Sequence, residues 1–189
     1  MKELIDNYFD RLKNTLDNMD RSEIETFIQV LNQARENGNN IFIMGNGGSA
    51  ATASHFVCDF NKGASYMYDD KKRFKFICLN DNTAINMAYA NDVSYEDIFV
   101  EPMKNFFSKG DVVIGISGSG NSKNIVKAIE YANQNGGITV GLTGYNGGKL
   151  KQICKHSVNA NIDDMQISED IHMILCHMIM QNINGKELL

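Results

Sequence analysis

Two stretches of helical pattern in this 189-residue chain carry side chains able to ligate a metal or move a proton. His55 and Asp59 stand four residues apart, which puts them on one face of a helix. Glu169 and His177 stand eight apart, a little over two turns, and about 80° from each other around the axis. Two imidazoles and two carboxylates suit a borderline divalent ion such as zinc, and equally suit acid–base work. Each pair taken alone also fits an ordinary pairing of neighbouring side chains on a helix, so spacing leaves both readings open.

A second constellation binds rather than reacts. Gly45-Asn46-Gly47-Gly48-Ser49-Ala50 follows an apolar run and opens a helical pattern, and Ser117-Gly118-Ser119-Gly120-Asn121-Ser122 does the same further on. Glycines let backbone N–H groups approach an anion, hydroxyls add donors, and a helix N-terminus adds partial positive charge. Ser49, Ser117, Ser119 and Ser122 each bring a hydroxyl for phosphate oxygens, with Asn46 and Gly47 beside them. One such loop also fits a plain turn and N-cap; two in equivalent places point to an anion site. Neither is a dinucleotide fingerprint or a Walker loop, so a compact sugar phosphate suits them better than a nucleotide. Gly144-Tyr145-Asn146-Gly147-Gly148 reads as a turn first and as part of the site's rim second.

The elements that must position these groups follow from periodicity. Residues 1–38 read as a helix pair broken around Met19–Arg21, packing on its own domain or on a partner. Apolar runs at Ile41–Met44, Phe74–Leu79, Val112–Ile116, Ile138–Leu142 and Ser157–Ile162 read as strands. Helical patterns at Ser49–Phe60, Thr83–Ala90, Tyr95–Phe106, Ser122–Asn135 and Ser168–Ile183 fill the gaps. The alternation predicts a doubly wound, three-layer α/β sandwich whose ligands sit beyond the carboxyl ends of the strands.

Composition narrows the class. A hydrophobic content of 43% in 189 residues supports one domain over the whole chain. The net charge of −5 gives no electrostatic footprint for nucleic acid. No run reaches the ~18 apolar residues of a membrane span, and the charged N-terminus lacks a signal-peptide pattern, so the expectation is a cytoplasmic protein. Cys58, Cys78, Cys154 and Cys176 form no C-x-x-C pair and read as small core residues.

G-N-G-G-S-A, I-S-G-S-G-N-S and L-T-G-Y-N-G-G, each after a strand, resemble the sugar isomerase (SIS) domain in its phosphoheptose isomerase branch. The likeness runs from the N-terminal helix pair to the last helix. It implies a flavodoxin-like five-stranded parallel sheet, a homotetramer and active sites shared between subunits. It makes Ser49, Ser117, Ser119 and Ser122 the phosphate ligands and Asn46 a substrate contact. That family holds zinc with a His and a Glu on the first helix and a Gln and a His on the last. The Glu and the last His are its proposed base and acid. His55 and His177 match; Asp59 replaces the Glu and Glu169 the Gln. The implied metal set is therefore His55, Asp59, Glu169 and His177, with Asp59, His177 and Glu169 as the catalytic groups. Gln166 is a fallback ligand, while His172, about 140° from His177, reads as structural or peripheral. His156 shows no partner.

Further departures concern the substrate. The family's aspartate after the second strand falls on Asn82, with Asp81 adjacent, and its arginine near Lys62 and Gly63 has no match. Asp59 also shortens its arm by one methylene, about 1.5 Å, which matters at a proton-transfer site. The resemblance implies a divalent-metal-assisted aldose–ketose isomerase, converting sedoheptulose 7-phosphate to the aldoheptose 7-phosphate. That reaction needs a base to move a proton between adjacent carbons and an acid or metal to polarise the carbonyl. The alternatives are an isomerase of another sugar phosphate and a non-catalytic SIS regulator that binds phosphosugars or proteins.

Overall fold

Ile41, Phe42, Ile43 and Met44 are all buried, which requires a strand covered on both faces. In the computed structural model, which describes residues 1–65 and 72–185, they form β1 (Ile41–Gly45). With β2 (Phe76–Cys78), β3 (Val112–Ser117), β4 (Ile138–Thr143) and β5 (His156–Asn159) they make a parallel sheet of order β2-β1-β3-β4-β5. This is the five-stranded parallel sheet expected.

Side-chain alternation builds two cores. Ile41, Ile43, Ile114, Ile116, Val140 and Leu142 point to one face. There they meet α2 (Arg21–Asn37), α3 (Gly48–Cys58) and α8 (Met165–Ile183). Phe42, Met44 and Val113 point to the other. There α5 (Val100–Lys104), α6 (Lys123–Gln134) and α7 (Gly148–Ile153) cover them.

The N-terminal break falls where sequence places it. The helix α1 (Lys2–Asp17) stops, and Asp20 caps α2 by accepting the Ser22 N–H at 2.9 Å. One side of α1 packs Tyr8, Leu12 and Leu16 on the core and ties Arg11 to Asp164 at 2.8 Å. Its other side leaves Leu4 (77% exposed), Ile5 and Phe9 in solvent.

Several bounds differ from the periodic reading. The strands expected at Phe74–Leu79 and Ser157–Ile162 shrink to β2 and β5, the two edges of the sheet. The helix expected over Tyr95–Phe106 splits into a 3₁₀ turn (Tyr95–Asp97) and α5. Pro102 explains the split: inside a continuous helix its ring would strike the Ile98 carbonyl, whereas the first turn of α5 tolerates it. The last helix begins one turn early because Asp164 caps it, accepting the Ile167 N–H at 3.1 Å. Between β2 and the 3₁₀ turn lies α4 (Thr83–Asp92).

At the outer edge of β2 one side chain acts as a surrogate strand. The Phe76 N–H donates to Asn61 Oδ1 at 3.0 Å, and Asn61 Nδ2 donates to the Phe76 carbonyl at 2.9 Å.

Candidate active site

Neighbouring strands β1 and β3 send their following helices to opposite faces of the sheet, α3 to one and α6 to the other. Such a switch point opens a crevice at the carboxyl ends of the strands. Both Gly/Ser loops leave from it, since Gly45 pairs with Ile116 at the end of the ladder.

The first loop turns at once into α3. A Cβ at Gly45 would overlap the Ser49 carbonyl, and Gly47 adopts φ +56°, so glycine is needed at both. Asn80 extends the ladder past β2: Gly45 N–H donates to its Oδ1 at 3.1 Å, and its Nδ2 donates to the Gly45 carbonyl at 2.8 Å. In the second loop Ser117 Oγ accepts the Gly120 N–H at 3.2 Å and lies 3.1 Å from Ser122 Oγ. Ser119 Oγ accepts the Asn121 N–H at 3.3 Å. The third glycine turn buttresses the second loop: Gly144 N–H donates to the Gly118 carbonyl at 2.8 Å and Leu150 N–H to that of Gly120 at 2.9 Å. It also lines, with Ser119 and Asn121, a neighbouring cleft of about 590 Å³.

Between the two loops lies a cleft of about 270 Å³ lined by Asn46, Ser49, Ser117, Ser119, Ser122 and Glu169. Among the described residues no lysine or arginine lines it, so an anion there depends on hydroxyls, backbone N–H groups and the N-termini of α3 and α6. Asn46 is held by neighbours: its Nδ2 donates to Asn124 Oδ1 at 3.0 Å, and Asn124 Nδ2 donates back at 2.9 Å.

Further along α3, His55 and Asp59 meet His177 of α8. The two Nε2 atoms are 2.9 Å apart, and Asp59 Oδ2 is 3.5 Å from that of His55 and 3.9 Å from that of His177. Four-coordinate zinc sets its ligand atoms about 3.3 Å apart, so this trio fits such an ion, and the structure places all three donors together. Asp59 stands where α3 widens into a π-helical turn (Asp59–Gly63), a distortion frequent at functional sites. The Cys176 thiol donates to Asp59 Oδ2 at 3.8 Å, and burial pushes that thiol well above its usual range.

Two of the residues read from sequence fall elsewhere. Glu169 stands outside the trio: its carboxylate occupies the space a Gly48 Cβ would take, at the mouth of the first loop. Along α8 it stands eight residues from His177, a rise of about 12 Å, and its side chain turns to Gly48 rather than to His55. Asn82 is spent on capping α4, accepting the Ile85 N–H at 3.1 Å, and does not line the cleft. Gln166 is exposed in the first turn of α8, and His156 begins β5. Asn80 and Asn124 are the residues sequence reasoning missed.

His172 is wholly buried, its Nε2 donating to the Thr143 carbonyl at 3.2 Å while Nδ1 finds no partner among the described residues. Burial pushes its pKa down from 6.5 to about 4. The unfolded chain therefore takes up a proton below pH 6.5 that the folded chain refuses until about pH 4. Stability is intact above 6.5 and falls as the pH drops through that window, by about 3 kcal/mol. Urea titrations at pH 7 and 4 test this; His172→Leu should remove that part of the slope, and an unchanged slope would refute it.

Comparison with known proteins places the chain. Residues 7–144 match the family described as SIS domain. A probable phosphoheptose isomerase of Thermoplasma acidophilum is 36% identical over 89% of this chain and 91% of its own. A phosphoheptose isomerase of Aneurinibacillus thermoaerophilus is 38% identical over 76% of this chain and 71% of its own. A solved phosphoheptose isomerase of Neisseria gonorrhoeae superposes with a TM-score of 0.88 at 25% identity, covering 97% of this chain and 98% of that one.

Proposed function

The chain belongs to the SIS domain family, in its phosphoheptose isomerase branch, and from that premise we propose that it interconverts sedoheptulose 7-phosphate and the aldoheptose 7-phosphate. The observation that carries the reading is a separation. Ser49, in the phosphate cleft, and His55 are six residues apart on α3, a rise of about 9 Å. A ligand gripped by its phosphate at the loops must be several carbons long to present its carbonyl to the trio. A sugar phosphate numbered from the far end meets that demand.

In this reading Ser49, Ser117, Ser119 and Ser122 take the phosphate oxygens. Zinc bound by His55, Asp59 and His177 would supply Lewis-acid polarisation of the carbonyl. Asp59 takes the proton from the carbon beside the carbonyl, and the bonding pair becomes the C=C of an enediolate whose charge rests on the former carbonyl oxygen. That carbon's hydroxyl proton passes to the charged oxygen by way of His177 as the new C=O forms, and the proton held by Asp59 returns to the former carbonyl carbon. Glu169 faces the cleft instead, where its carboxylate accepts hydrogen bonds from substrate hydroxyls. In this reading the chain works in the cytoplasm, as a homotetramer with sites at subunit contacts. The exposed Leu4, Ile5 and Phe9 of α1 support self-association, which a monomer in sedimentation would overturn. Among the described residues no helix is long and apolar enough to cross a membrane.

The experiment is a coupled or NMR assay against ketose and aldose phosphates of five to seven carbons, with metal content measured on the same sample. About one zinc per chain, lost in His55→Ala together with turnover, is the expected outcome. Sugar-phosphate binding without metal or turnover would reassign the chain as a binding module.

A further inference from the structure

Asn124 lies in the first turn of α6, is 2% exposed, and does not line the cleft between the two loops. Its contacts nevertheless control a side chain that does line the cleft. The backbone N–H of Ile125 donates to Asn124 Oδ1 at 2.9 Å, so that atom must be the oxygen of the amide. Asn124 Nδ2 is thereby turned to Asn46 and donates to its Oδ1 at 2.9 Å. Asn46 returns the bond, its Nδ2 donating to Asn124 Oδ1 at 3.0 Å. From the other side the Tyr95 hydroxyl donates to Asn46 Oδ1 at 3.1 Å.

Counting valences gives the consequence. Both lone pairs of Asn46 Oδ1 are engaged, one by Asn124 and one by Tyr95. Of its two N–H bonds one is engaged and one is free. We propose that Asn124 is a positioning residue that fixes the polarity of Asn46, so that Asn46 meets the ligand as a donor only. The inference rests on the isomerase reading for its ligand, and it names the group Asn46 recognises: an oxygen acceptor such as a carbonyl or phosphate oxygen, never a hydroxyl hydrogen. The direction of the whole chain is set by one backbone N–H of α6. The loop after β1 and the helix after β3 are thus locked together, 78 residues apart.

The test combines kinetics with a signal that does not need turnover. Asn124→Ala should lower kcat/KM about tenfold in the wild-type background and change it by less than about twofold in Asn46→Ala. Asn124→Asp keeps size and acceptor but loses the donor, so it should behave like Asn124→Ala; rescue by Asp would show mere space-filling and overturn the proposal. Tyr95→Phe, at the surface, keeps the variant series informative if Asn124→Ala does not fold, and should give a smaller loss. In ¹⁵N spectra one of the two Asn46 side-chain amide protons, the one donated to Asn124, should be exchange-protected and the other not, and the protection should be lost in Asn124→Ala. Additive kinetic losses, or Asn46 signals unchanged in the variants, would sink it. If no sugar phosphate is turned over, the functional reading fails by itself, and the amide signals with inorganic phosphate as probe still decide the role of Asn124.

Discussion

Asp59→Ala should lower kcat by about a thousandfold while leaving sugar-phosphate binding within about twofold of the parent. The binding groups and the reacting groups sit at different heights on α3, so removing one leaves the other standing. Ser49 is at the N-terminus and Asp59 a further ten residues on, beyond His55. His177→Ala should do the same, because it removes the partner that lies 2.9 Å from His55. Glu169→Gln separates the two carboxylates. Glu169 stands outside the trio, so this variant should retain turnover. Loss of activity in Glu169→Gln with full activity in Asp59→Ala would move the base to Glu169. Calorimetric titration with sugar phosphate alongside the isomerase assay reads both quantities.

The second large effect is structural. Gly120 adopts φ +67°, and a Cβ there would overlap the Gly147 carbonyl oxygen, backbone against backbone. Neither side can step aside, since the Leu150 N–H donates to the Gly120 carbonyl and pins the two loops together at 2.9 Å. Gly120→Ala should therefore cost about 3 kcal/mol, from left-handed strain plus overpacking, and lower Tm by about 9 °C. Phosphate affinity should fall with it, because Ser119 and Ser122 flank the distortion. Gly47→Ala is the comparison: its added Cβ would meet nothing within 4 Å, leaving backbone strain alone and a smaller drop in Tm. Equal stability of Gly120→Ala and the parent by calorimetry would refute the account.

What sequence could reveal was whatever depends on local pattern. Runs such as Ile41–Met44 declare a strand buried on both faces, and the glycines before Ser49 and around Ser119 declare loops that turn into helices. His55 and Asp59 were legible as a pair because four residues fix a helical face. Glu169 was a harder case. It is read with His177 into one metal set, and the separation of about 80° and two turns does not decide whether the two share a ligand. Sequence spacing offers no means of deciding which one turns to His55 and which to Gly48. Asn80 and Asn124 were invisible for another reason. Each acts through an amide that pairs with a partner 35 or 78 residues away, and an asparagine in sequence looks the same whether it caps, braces or faces water. Asn82, read from the resemblance as the family's aspartate position, caps α4 instead.

The bond between Asn61 and Phe76 has a consequence for the chain among its own kind. An open sheet edge is a template on which a strand from another molecule can nucleate aggregation. On β2, only three residues long, Phe76 and Cys78 turn their backbone groups to the open edge, and Asn61 satisfies both the N–H and the carbonyl of Phe76. The same π-helical turn that begins at Asp59 therefore also blunts one edge of the sheet. A chain lacking that amide would keep its reactive trio yet carry an adhesive edge through every folding cycle, and its yield at high concentration would suffer before its chemistry did.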